Sequence, residues 1–136
     1  IAAMFDNSPL ETIIIPGEIG AASAMKMVFS AYTKGTTALL AAILGVAEKE
    51  GVRNTLESQS GQTFTEQAHQ RITGNAAKAW RFEGEMREIA TTFENAGLPG
   101  GFHAAAAEVF EQLALFKDKP AADIVKLLKA LNQPSN

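Results

Sequence analysis

The run Ala21–Gly51, AASAMKMVFSAYTKGTTALLAAILGVAEKEG, decides the fold. It contains no proline and closes on Gly51, the residue type that most easily takes the left-handed backbone just past a helix C-terminus. An average helix has roughly 11–12 residues, so this one is unusually long. It is too rich in alanine and glycine for a rod surrounded by water. Gly35 and Gly45 each cost about 1 kcal/mol relative to alanine inside a helix, a penalty that makes sense where another backbone approaches closely. The run therefore reads as the central helix of a bundle. Its uncharged stretch, Gly35–Ala47, falls well short of the roughly 20 residues that span a bilayer, so no membrane segment is expected.

Downstream, the apolar residues recur at helical spacing. A short helix is expected over Thr63–Ile72, after a weakly patterned stretch from Val52 to Gly61. Asn75 is a candidate N-cap for the next helix, in which Phe82, Met86, Ile89 and Phe93 form one apolar face. Gly97, Pro99, Gly100 and Gly101 break the chain before a second face of Phe102, Ala106, Val109, Leu113 and Phe116. Pro120 opens a last helix carrying Ile124, Leu127, Leu128 and Leu131. Upstream, Thr12-Ile13-Ile14-Ile15 is β-branched and is closed by Pro16-Gly17, which predicts a short strand. A lone strand needs neighbours, so it is expected either to pair with another copy or to be the last strand of a preceding domain, the second being preferred. The chain begins at Ile1, which fits the second reading. The expected class is all-α: a bundle of about five helices over residues 19–136, after a remnant over residues 1–18.

Composition narrows the function. With 12 basic and 15 acidic side chains and a net charge of −3, there is no electrostatic footprint for nucleic acid or anionic lipid. The absence of cysteine removes disulfides, thiolate metal sites and thiol nucleophiles, and fits a reducing cytoplasm. His69 and His103, without clustered carboxylates, make no case for a metal.

At roughly 100° per residue, Ser23, Lys26, Ser30, Thr33, Lys34 and Thr37 fall within one arc of about 100° on the central helix. Such a stripe is either a partly solvated face or the wall of a cleft holding Lys26. A lysine in the first turns of a helix stands against the positive end of the dipole, and burial would favour its neutral, base-competent form. Spacing alone leaves both readings open. Trp80 is a candidate interface anchor, core contact or substrate contact. His103 follows Gly100-Gly101-Phe102 at a helix start and either caps it in solvent or faces a cleft. Glu83, Glu85 and Glu88 read mostly as a solvated face.

The segment GAASAMKMVFSAYTKG, Gly20–Gly35, resembles the start of the helical domain of the β-hydroxyacid dehydrogenase superfamily, which includes 6-phosphogluconate and 3-hydroxyisobutyrate dehydrogenases. The superfamily motif is approximately Gly-x-Gly-x-x-x-Lys-x-x-x-Asn, and Gly20 and Lys26 match its first glycine and its lysine. With the later WRFEGEMREIA, whose Trp80 and Glu85-Met86 match a second and weaker element, the segment is most similar to a subgroup of phosphogluconate-dehydrogenase-like C-terminal domains. The resemblance spans Leu10 to about Leu115. It implies an upstream Rossmann domain that binds NAD or NADP, with Gly20 a weak contributor, and a helical domain that supplies the catalytic Lys26 and most of a homodimer interface. Ser23, Ser30 and Thr33 would line the pocket of a small hydroxy acid, with Trp80, Glu85 and His103 as further candidates.

Departures from the pattern limit the substrate. Ala22 replaces the second glycine and Ser30 replaces the asparagine. Phe29 stands where 6-phosphogluconate dehydrogenase has a histidine, and Thr33 stands where it has its glutamate acid. Threonine cannot protonate an enediol, so decarboxylation of 6-phosphogluconate is not expected. Gly84 takes the place of a lysine in many relatives. The alternative to an oxidoreductase domain is a non-catalytic helical module for dimerisation or small-molecule binding.

Overall fold

A computed structural model describes residues 17, 20–120 and 123–133 of the chain. These residues are organised as α1 (Ala21–Lys49), α2 (Arg53–Ser60), α3 (Gln62–Asn75), α4 (Phe82–Asn95), α5 (Gly101–Leu113) and α6 (Ile124–Leu131). Two 3-10 segments, Ala76–Arg81 and Ala114–Phe116, join α3 to α4 and extend α5. The described chain is an all-α bundle built on one long helix. The expected strand Thr12–Ile15 lies outside the described residues.

The other helices pack around α1 because one of its sides is made of small and branched apolar residues. Ala38, Ala41 and Leu44 are fully enclosed there by Ile72 of α3, Met86 and Ile89 of α4, Phe110 of α5, and Leu127 and Leu128 of α6. The rings of Phe82 and Phe110 meet edge to face at 5.2 Å, locking the start of α4 onto α5. Burial of each such side chain contributes about 1.5–3 kcal/mol.

Several expectations need correction. The weakly patterned stretch after Val52 is helical as α2, although it buries no side chain. Ion pairs hold it instead: Arg53 bridges Glu48 at 2.6 Å and Glu57 at 3.1 Å. Asn75 does not cap α4; it ends α3, and its Nδ2 donates to the Arg71 carbonyl at 2.6 Å. The last helix is capped by Asp123, whose side chain accepts from the Lys126 amide at 2.9 Å, rather than opened by Pro120. Phe102, expected in the core face of α5, is 80% exposed, while Phe110, outside that expected face, is fully buried. The helix turns Phe102 outward because Ala106, Ala107, Phe110 and Leu113 form the seam against α1 and α4.

The glycines of α1 also have an intramolecular explanation. A Cβ on Gly35 would lie 3.5 Å from the His103 ring, and one on Gly45 would lie 3.5 Å from Leu131. The close neighbours are therefore α5 and α6 of the same chain. Asn132 reinforces the second contact by donating from Nδ2 to the Gly45 carbonyl at 2.8 Å. The glycine under the tightest constraint is Gly100, where a Cβ would come within 2.7 Å of the Ala90 carbonyl oxygen.

Candidate functional site

The polar stripe of α1 changes character along its length. Ser23 and Lys26 are exposed, Thr33 and Lys34 are half-buried, and Ser30 and Thr37 are enclosed at 8% and 3% exposure. Beyond the first turns the stripe is therefore not a solvated face, because α3 and α4 cover it. Thr33 and Thr37 fit this interior by donating their hydroxyls to the Phe29 and Thr33 carbonyls at 3.1 and 2.8 Å.

Glu85 of α4 is the hub of the covered part. Its carboxylate accepts from Lys34 Nζ at 2.5 Å, and that ammonium also lies 4.6 Å from the centre of the Phe82 ring. Partial burial works to raise the Glu85 carboxyl, but the Lys34 hydrogen bond, the nearby Ser30 hydroxyl and the charges of Lys34 and Lys26 outweigh it. The group rests below the ordinary carboxylate range and is ionised at neutral pH. Glu85 is thus a buried-side partner of α1, not part of a solvated acidic face. The structure brings Lys26, Ser30, Lys34 and Glu85 into one electrostatic file that runs from solvent into the α1–α4 seam.

A second polar cluster lies one step round the helix. Arg71 of α3 donates to the Thr33 carbonyl at 3.2 Å. A crevice of about 210 Å³ opens there, lined by Lys34, Thr37, Arg71, Asn75, Phe82 and Phe110. No spacing pointed to Arg71, which meets Thr33 across 38 positions of chain and only through tertiary packing.

The other candidates lie apart. Trp80 sits in the 3-10 segment at the surface, with Lys117 Nζ 4.1 Å from its ring centre and Arg81 flanking it at 5.3 Å. His103 is on the far side of α1 from the polar file. Its ring stacks on Phe93 at 4.3 Å, and its Nδ1 is buried without a hydrogen-bond partner. Burial pushes this imidazole below its ordinary value, which leaves it neutral near pH 7. It faces an apolar groove of about 330 Å³ between α1 and α5, with Gly35, Leu39, Ala42, Phe102 and Val109 among the lining residues. Gly20 precedes α1 with a left-handed φ of 102° and is exposed. His69 is half-buried, with its Nε2 2.5 Å from Glu57 Oε1. Among the described residues, no three histidine or acidic side chains converge as metal ligands.

The groove continues into an apolar stripe on α1. Met25, Phe29, Tyr32, Leu39, Ile43 and Val46 are all exposed, Tyr32 at 63% and Phe29 at 58%. With Thr36 they follow alternating steps of four and three residues, the repeat of a helix–helix seam. By length and composition α1 could also cross a membrane, but its opposite side packs as the axis of the bundle, and a membrane is not indicated.

No curated protein and no solved structure matches the chain. A family model does match, over residues 41–113, from the second half of α1 to the end of α5. The matched span holds most of the packed core, Ala41 and Leu44 through Leu113, and the chain belongs to the family described as a domain of unknown function, DUF1932.

Proposed function

We propose that the chain is the helical C-terminal domain of an NAD(P)-dependent oxidoreductase acting on a small hydroxy acid, with Lys26 as its proton-transferring residue. The DUF1932 domain is found in the C-terminal region of 3-hydroxyisobutyrate/β-hydroxyacid dehydrogenase-like proteins. The observation that carries the reading is the polar file of α1, in which an exposed Lys26 ammonium leads inward to Ser30 and to the ionised Glu85–Lys34 pair. An alcohol gives up hydride only when its proton has a destination, and a positioned amine supplies one. In this reading Lys26 takes the hydroxyl proton in oxidation and returns it in reduction, Ser23, Ser30 and Thr33 border the substrate, and Glu85 fixes the charge around them.

Gly20 is a single left-handed residue beside the exposed start of α1, with no strand–turn–helix around it among the described residues. NAD or NADP therefore belongs to a separate nucleotide-binding domain in this reading, and the role assigned to this chain is confined to the proton. A chain with no cysteine suits a cytoplasmic setting. In the chain joined to its nucleotide-binding half, Lys26→Ala is expected to lower kcat on its hydroxy acid by about a hundredfold or more, the low end of acid–base contributions. Turnover at the unsubstituted rate would overturn the assignment.

A second reading, a homodimerisation module, is favoured by the exposed seam on α1. Met25 to Val46 runs for about 32 Å at roughly 1.5 Å per residue, and a twofold axis would set the stripe against its own copy. A stable pair buries about 800 Å² per partner, and the adjoining α5 groove extends the stripe that would supply it. Both readings hold together in a dimeric enzyme. Light scattering at tens of micromolar tests the second: the unsubstituted chain is expected to be dimeric and Leu39→Glu monomeric, and a monomeric parent chain would remove it.

A further inference from the structure

The crevice between α1, α3 and the start of α4 contains two cations, only one of which has a carboxylate partner. Lys34 is paired with Glu85, Arg53 with Glu48 and Glu57, and Arg87 with Glu83. Arg71 is half-buried and, among the described residues, forms no ion pair, although acidic side chains outnumber basic ones by 15 to 12 in the chain. Its one hydrogen bond goes to the Thr33 carbonyl, which already accepts the Thr37 hydroxyl at 2.8 Å. Arg71 is therefore not there to rescue an orphaned acceptor.

Donor accounting shows what the crevice still offers. The Thr33 and Thr37 hydroxyl protons are committed to the carbonyls of α1, and the Asn75 amide donates to the Arg71 carbonyl. The uncommitted donors are the second Asn75 amide proton, the Arg71 guanidinium apart from the one N–H that goes to the Thr33 carbonyl, and the Lys34 ammonium apart from the proton that goes to Glu85. Phe82 and Phe110 form an apolar wall on one side of these half-buried charges. A crevice of about 210 Å³ lined by Arg71, which has no carboxylate partner among the described residues, and by the Glu85-paired Lys34 has the size and polarity for a carboxylate or phosphate group.

We infer that Arg71, assisted by Lys34, is an oxyanion-binding site for a carboxylate- or phosphate-bearing small molecule. The inference stands independently of the oxidoreductase reading, since it concerns equilibrium binding by this chain alone. It is tested by titrating inorganic phosphate, and separately acetate, into the chain while following the backbone amide and arginine Nε–H resonances. Saturable shifts confined to Thr33–Thr37 and Arg71–Asn75 are expected with at least one of the two anions, and the tighter anion identifies the group recognised. Arg71→Gln is expected to weaken binding at least about tenfold, the equivalent of one lost charge-assisted hydrogen bond. Arg71→Lys keeps the charge but loses the fork and is expected to fall between, and it carries the test if the glutamine variant does not fold. Shifts that stay linear with concentration, that a chloride control reproduces, or that survive unchanged in the variants would overturn the site.

Discussion

The two sides of α1 reverse the usual arrangement of a surface helix. Its polar stripe, from Ser30 to Thr37, is covered by α3 and α4, while a stripe of Phe29, Tyr32, Leu39, Ile43 and Val46 is bare. Burying polar groups costs free energy unless each finds a partner, and here each does: Thr33 and Thr37 use their own helix, and Lys34 uses Glu85. The bare stripe finds no such compensation among the described residues. Packing within the bundle thus accounts for one side of the helix, while the other side meets no partner among the described residues.

The largest expected effect comes from the packed side. Phe110→Ala empties the centre of the bundle and should cost about 3–5 kcal/mol by chemical denaturation, whereas Leu39→Ala on the bare side should change the stability of the monomer by less than about 0.5 kcal/mol. Comparable losses at both positions would erase the contrast. The next effect separates the glycines: Gly100→Ala drives a Cβ into the Ala90 carbonyl and should cost about 1–3 kcal/mol. Gly35→Ala meets His103 only at ordinary contact distance and should be neutral or stabilising by up to about 1 kcal/mol in the same melt.

Smaller again is the ion pair. Glu85→Gln leaves Lys34 half-buried without its counter-charge and should cost on the order of 1 kcal/mol, between exposed and fully buried pairs. Double-mutant analysis with Lys34→Met should recover a coupling of similar size, and additivity would mean that the pair contributes nothing.

The smallest effect is on pH dependence. Glu85 and Glu57 lie below the carboxylate range despite burial that opposes this, Glu57 because His69 and Arg53 hydrogen-bond to it. Their stabilisation is complete above the unfolded pKa, about 4.3, and is lost as pH falls through the lower folded values. His103, pushed down by burial, acts in the same direction at higher pH. Its unfolded form takes up a proton first, so stability declines as pH drops below about 6.5. Thermal melts between about pH 8 and about pH 2 should show both declines, and His103→Phe should remove only the upper one.

The fold was largely legible because helical period and chain breaks are local signals. The faces of α4 and α6 read correctly from Met86 and Ile89 and from Leu127 and Leu128. The start of α6 did not, since the proline drew attention from an aspartate cap three residues later. α2 escaped because Leu56 alone packs it against the core and its other ties are the ion pairs of Arg53, neither of which makes a periodic apolar face. At the candidate site, the stripe on α1 was visible at 100° spacing, but what covers it was not. Glu85 and Arg71 reach it from 51 and 38 positions away, and no periodicity encodes which residues of a partner helix meet it.

The clasp of Asn132 and Leu131 over Gly45 has a consequence for synthesis. The two ends of that hydrogen bond are 87 residues apart, so at about 5–20 residues per second the ribosome delivers the second roughly 4–17 s after the first. For that interval the central helix is made but one flank has no lid, and the nascent bundle depends on its last-made helix to finish enclosing it.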